Sequence, residues 1–177
     1  MTFYNQCDAG FVGFPNAGKS TLFNALTGRT DSLKMPRFAK MTGTDLMLAD
    51  VGGLHWRGKG KTIWGEEWLE IITDVKTLIF VIPIAMGKQD AYQSAAQYKH
   101  LAAVCLRQPG FEGKKRIVAL NVFKTEEGLP NYEDEELHFR ALIDKRFSFA
   151  AMIRVCAISC EGIDKFVELL QETNNNM

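Results

Sequence analysis

The stretch Gly13-Phe14-Pro15-Asn16-Ala17-Gly18-Lys19-Ser20-Thr21 constrains this chain more than any other. It fits the pattern G-x-x-x-x-G-K-[ST] in full. A short apolar run, Ala9–Gly13, precedes it, and a helical pattern, Ser20–Leu26, follows it up to Gly28. Glycines let a backbone turn tightly enough for its N–H groups to converge on an anion. A helix starting at Lys19 adds the positive end of its dipole. The Lys19 ammonium is then placed to reach β- and γ-phosphates, and the Ser20 hydroxyl to ligate Mg²⁺. A chance glycine turn is the bland alternative, and the flanking strand and helix patterns argue against it.

The rest of the chain alternates apolar runs with amphipathic stretches. Leu46–Ala49, Leu78–Ile82, Ile117–Leu120 and Met152–Ile158 read as strands. Trp64, Trp68, Ile71, Ile72 and Val75 share one helical face, Ala91–Leu106 and Asp134–Asp144 read as helices, and Ile163, Phe166, Val167 and Leu170 mark a last one. Apolar runs without in-and-out alternation belong to strands covered on both faces. Alternating strands and helices then predict an α/β sandwich with a mainly parallel sheet, whose ligands bind at the carboxyl ends of the strands.

Composition narrows the function classes. With Lys+Arg and Asp+Glu both at 21, the formal charge is zero, which excludes coating nucleic acid or anionic membrane by bulk electrostatics. The longest apolar run, Leu78–Met86, contains Pro83 and is too short to span a bilayer. The N-terminal residues lack a signal-peptide pattern. Cys7, Cys105, Cys156 and Cys160 show no paired zinc spacing and read as reduced thiols of a cytoplasmic protein, with the C-x3-C spacing of the last two leaving a redox or metal pair open. The polar stretch Asn174–Asn176 suggests a frayed tail, so the expected organisation is one domain over 1–171 with a tail over 172–177.

At the end of the Leu46–Ala49 strand stands Asp50-Val51-Gly52-Gly53. Asp-x-x-Gly at a strand terminus supplies a carboxylate to a Mg²⁺ shell and, from Gly53, an N–H for a γ-phosphate. Arg57-Gly58-Lys59-Gly60-Lys61 follows, a basic glycine loop between Trp56 and Trp64 that suits contacts to RNA, or the loan of a cation to the γ-phosphate, as well as plain solvation. His55, beside this box, is the one histidine placed to position a water.

With Leu22-Phe23-Asn24-Ala25-Leu26-Thr27 after the phosphate loop, Leu46-Met47-Leu48-Ala49-Asp50-Val51-Gly52-Gly53-Leu54, and Gly65-Glu66-Glu67-Trp68-Leu69, the sequence resembles the GTPase domain of Obg/DRG-type proteins, of the translation-factor class. The resemblance covers that domain alone. It implies a three-layer P-loop NTPase fold with a mainly parallel sheet of five or six strands. The chain from Lys19 to Asp50 is short for such a domain, so the second, edge strand is the one expected to be lost and Met35–Phe38 to be a remnant of the switch loop. Ala39 falls where a Mg²⁺-binding threonine is expected, with Thr42 and Thr44 as substitutes. Leu54 replaces the glutamine that orients water in Ras-like enzymes, which implies slow hydrolysis. Pro83 stands where the family often has aspartate.

The guanine-reading box, Asn-Lys-x-Asp in the family, is Asn121-Val122-Phe123-Lys124 here. A cation at Lys124 cannot accept the guanine N–H bonds, and the register Phe123-Lys124-Thr125-Glu126 restores a carboxylate only by losing the asparagine. Ala157-Ile158-Ser159-Cys160-Glu161-Gly162 resembles the last box, whose backbone N–H meets the guanine carbonyl. The resemblance implies a slow, Mg²⁺-dependent GTPase switch binding GTP and GDP. Lys19 is its catalytic residue. Asn16, Ala17, Gly18, Lys19, Ser20, Thr21, Gly53, Asn121, Ser159 and Cys160 hold the nucleotide, and Ser20 and Asp50 the Mg²⁺. A protein effector or ribosomal RNA would meet the Arg57–Lys61 loop. The alternative is a degenerate member of the fold that binds nucleotide weakly or without base selectivity and serves as an interaction module. A small kinase would need a lid rich in arginine, and Arg140, Arg146 and Arg154 are isolated.

Overall fold

The computed structural model describes residues 7–30, 37–52, 55–57, 61–63, 66–84, 88–123 and 133–176. The elements run β1 (Ala9–Val12), α1 (Lys19–Thr27), β2 (Arg37–Lys40), β3 (Met47–Asp50), β4 (His55–Arg57), β5 (Lys61–Ile63), α2 (Glu66–Asp74), β6 (Thr77–Ile84), α3 (Lys88–Leu106), β7 (Lys115–Val122), α4 (Glu133–Ala141), β8 (Ala151–Val155) and α5 (Ile163–Asn175). Six strands form one sheet in the order β2-β3-β1-β6-β7-β8, and β4 and β5 form a separate antiparallel hairpin. All neighbours in the large sheet are parallel except β2 and β3.

The apolar runs are continuous because both faces of the sheet are buried. Alternate residues point to opposite sides. Val12, Phe80, Ile82, Val118 and Leu120 pack with Ile71, Ile72, Tyr98, Leu101 and Phe139 of α2, α3 and α4. Phe11, Leu48, Ile79, Val81, Ile117 and Ala119 pack with Leu22, Phe23, Leu26, Phe166 and Leu170 of α1 and α5. Helices on both faces of a mainly parallel sheet make the three layers expected from the sequence.

Several local expectations need correction. The edge strand expected to be lost is present as β2, with Arg37↔Asp50, Phe38↔Ala49, Ala39↔Leu48 and Lys40↔Met47 in register. Arg37 and Phe38 are therefore strand, not a switch remnant. Ala39 lies within that strand, while Thr42 and Thr44 lie in the turn beyond its far end. That end is the one away from Asp50, which removes both as substitutes for a metal-binding threonine, and the Thr44 hydroxyl donates to the Met41 carbonyl. The polar tail expected from residue 172 is mostly helix. α5 runs to Asn175, because the Lys115 ammonium donates to the Thr173 carbonyl and the Asn174 side chain meets the Thr77 hydroxyl at the base of the sheet. The last strand stops at Val155 rather than Ile158, since Cys156 turns out to donate its N–H to the Glu161 carbonyl.

Pro83 is tolerated inside β6 because β1 pairs only as far as Phe80, so its missing N–H faces no neighbouring strand on that side. The Pro83 carbonyl accepts the Ser94 hydroxyl at 2.7 Å. Among the described residues, no helix is long and apolar enough to cross a membrane.

Candidate functional site

Three strand ends and one loop converge at the carboxyl edge of the sheet. After Val12 the chain turns through 13–18 into α1, with Asn16 at φ 65° and Gly18 at φ 92°. Gly18 is required twice over: its φ is left-handed, and a Cβ there would sit 2.1 Å from the Asn121 Nδ2. The Ala17 N–H donates to the Phe14 carbonyl at 3.2 Å, and the Leu22 N–H to the Gly18 carbonyl at 2.9 Å, which starts the helix. Asn16 and Thr21 are exposed, and Ala17 is buried beneath the loop.

Lys19 opens α1 and lies buried, 6% exposed, with its Nζ 3.4 Å from the Phe14 carbonyl. Burial pulls its ammonium below the usual lysine range, and the nearby Asp50 carboxylate pulls the other way. At the next residue, the Ser20 hydroxyl donates to the Asp50 Oδ2 at 3.1 Å. Asp50 is fully buried, and its Oδ1 accepts the Gly52 N–H at 3.4 Å. A hydroxyl and a carboxylate are the hard oxygen donors that Mg²⁺ takes. The pair expected as metal ligands is thus brought together, and its chemistry fits that ion.

A third side chain shares this corner. Arg37, the first residue of β2 and Asp50's cross-strand partner, is 4% exposed. Its Nη2 lies 2.9 Å from the Asp50 Oδ2 and 3.5 Å from the Ser20 carbonyl, and its Nη1 donates to the Asn24 Oδ1 at 2.7 Å. Its guanidinium carbon rests 4.6 Å from the centre of the Phe23 ring. The site thus holds two buried cations, Lys19 and Arg37, around one carboxylate. Sequence reasoning missed Arg37. The signal that would have found it is antiparallel pairing of the Arg37–Lys40 strand against the strand ending at Asp50.

Asn121 ends β7 and is 1% exposed. Its Nδ2 donates to the Ala17 carbonyl and its Oδ1 accepts the Ala157 N–H, each at 3.1 Å. The residue expected to read the base ties the phosphate loop to the loop after β8. In that second loop Ser159 and Cys160 are exposed, with Cys160 at φ 62°. Phe123, 39% exposed, faces the phosphate loop, its ring edge 3.9 Å from where a Gly18 Cβ would stand.

Cys156 and Cys160 are free thiols rather than a disulfide, and no metal-binding group of three His, Cys, Asp or Glu occurs among the described residues. Gly53, Leu54, Gly58–Gly60, Trp64 and Lys124–Glu126 lie outside the described residues. Arg57 and Lys61, the two ends of the basic stretch, pair across β4 and β5.

A sequence-family model described as "50S ribosome-binding GTPase" matches residues 8–122. The chain is 32% identical over 150 residues to a GTPase Obg of Borrelia hermsii, covering 78% of this chain and 43% of that protein. It is 29% identical over 181 residues to a GTPase Obg of Synechocystis, covering 96% and 46%. The chain spans less than half the length of these relatives. Among solved structures, a GTP-binding protein of Sulfolobus solfataricus in complex with GDP matches 96% of this chain and 53% of its own, with a TM-score of 0.71 at 20% identity. A probable GTP-binding protein engB matches 97% and 100%, with a TM-score of 0.56 at 16% identity. At these identities the structural likeness speaks for the fold.

Proposed function

This chain belongs to the 50S ribosome-binding GTPase family, and on that premise we propose that it binds GTP and GDP and acts as a slow, Mg²⁺-dependent GTPase switch. The observation that carries this reading is the corner built by Gly18, Lys19, Ser20 and Asp50, closed from behind by Asn121. Loop N–H groups between Gly13 and Ser20, with the start of α1, receive the phosphates. Lys19, already desolvated, meets the γ-phosphate as a buried cation whose charge counts for more than it would in water. The reaction is attack by water on the γ-phosphorus with departure of GDP, and Lys19 and the loop N–H groups stabilise the charge that spreads over the phosphate oxygens. Mg²⁺, when bound, supplies further neutralisation of those oxygens, and Ser20 and Asp50 are the residues that would hold it. Gly53 lies in sequence where an N–H would report the γ-phosphate.

Slow turnover follows from Leu54, whose side chain cannot hydrogen-bond the attacking water. The segment from Leu54 to Lys61 begins four residues after Asp50 and is the output we assign, a change in its arrangement between triphosphate and diphosphate states. Its basic residues suit ribosomal RNA or a protein effector. Four free thiols suit a reducing compartment, and we place the protein in the cytoplasm. We assign one nucleotide domain that runs through the end of α5 at Asn175.

A second reading, a nucleotide-binding or interaction module without base selectivity, is favoured by one specific feature: Lys124 stands where a carboxylate would accept the guanine N–H groups. Calorimetry with GTP, GDP, ATP and XTP on nucleotide-free protein separates the two. Selective binding of GTP and GDP, with slow phosphate release from GTP, supports the switch. Equal binding of all four supports the second reading.

A further inference from the structure

The Asp50 carboxylate that would serve Mg²⁺ already has a cation. Arg37 reaches its Oδ2 at 2.9 Å, and the two side chains are 3% and 0% exposed. The guanidinium does not hang from this one bond. Asn24 Oδ1 at 2.7 Å, the Ser20 carbonyl at 3.5 Å and the face of Phe23 at 4.6 Å hold it from other directions. The strand register sets Arg37 directly across from Asp50, so the pairing is built into the backbone. The same Oδ2 also accepts the Ser20 hydroxyl, and Oδ1 accepts the Gly52 N–H. A metal that used the Asp50 Oδ2 would have to displace a buried, multiply anchored guanidinium, and separating such a pair strands a desolvated charge.

We propose that Arg37 takes over from Mg²⁺ the neutralising of Asp50, so that this chain holds nucleoside diphosphate with little dependence on Mg²⁺. This deepens the nucleotide-binding reading above and rests on it. Lys19 and Arg37 together leave the corner one positive charge in excess over Asp50, which suits a diphosphate with no metal present. Removing the guanidinium frees the Asp50 Oδ2 to take the ion, and only then does Mg²⁺ couple strongly to the diphosphate.

The test measures GDP binding to the full chain by calorimetry, in MgCl2 and in EDTA, for the wild type and for Arg37→Met, which keeps an apolar stem over Phe23. The wild-type affinities should agree within about threefold, while the variant should bind GDP about tenfold or more tightly with Mg²⁺ than without. A wild type that needs Mg²⁺ by about tenfold or more overturns the proposal, as does a variant with the same ratio as the wild type. If Arg37→Met does not fold, the wild-type ratio decides alone. Mn²⁺ titrated into the wild-type GDP complex and followed by electron paramagnetic resonance gives a second readout, with weak binding expected and tight binding contrary. Failure of GDP to bind in either buffer removes the nucleotide-binding reading and this proposal with it, whereas tight but strongly Mg²⁺-dependent binding removes this proposal only.

Discussion

Gly18 and Asn121 occupy the same small volume, and their coupling is measurable. In Asn121→Ala the Ala17 carbonyl and the Ala157 N–H lose their partner, and both residues are buried, at 1% and 3% exposure. Two orphaned backbone groups cost roughly 2–6 kcal/mol. In Gly18→Ala a Cβ enters at φ 92° and 2.1 Å from the Asn121 Nδ2. Left-handed strain of roughly 1–2 kcal/mol combines with an overpacking cost of about 1–3 kcal/mol. The double variant vacates the space that the new methyl needs, so the overpacking cost vanishes while the strain and the orphaned groups remain. Urea unfolding of the four species should therefore give a double variant less destabilised than the sum of the singles, by about 1–3 kcal/mol. Strict additivity within about 0.5 kcal/mol would show that Asn121 does not crowd the Gly18 position.

Two further outcomes follow from the same corner and its surroundings. Burial depresses the Lys19 pKa from its ordinary 10.5, so between the depressed value and 10.5 the unfolded chain binds more protons and wild-type stability rises with pH; Lys19→Met should lose that rise, gain roughly 1 kcal/mol of stability at neutral pH, and lose GDP binding by about a hundredfold or more, read by unfolding at several pH values and by calorimetry. A thiol reagent should modify one cysteine of the native protein quickly, the exposed Cys160, because Cys7 and Cys105 are buried with thiols pushed up to about 11 and about 12, and Cys156 is buried as well; rapid labelling of more than one thiol would contradict this packing.

Much of the architecture was legible because it follows from patterns with a single physical solution. The phosphate loop between β1 and α1 has a fixed spacing. β6 and β7 are runs buried on both faces, which few other elements produce. What escaped was carried by polar residues. β2 reads as Arg-Phe-Ala-Lys, and its one fully buried position is a charged residue, Arg37, matched to Asp50 rather than to a hydrophobic neighbour. The end of α5 looked like a tail because Thr173 and Asn174 are polar, yet they close the base of the sheet through Lys115 and Thr77. Asn121 was found in the right place, but its bonds to Ala17 and Ala157 were not foreseen, because sequence separation hides such pairings.

The measurement that bears most directly on the account is GDP titrated into the nucleotide-stripped chain, beside Lys19→Met. A single site on the wild type that disappears in the variant is the expected result. Absence of binding to the folded wild type, with Mg²⁺ and without it, would contradict the assignment of Gly13–Ser20 as a working nucleotide loop.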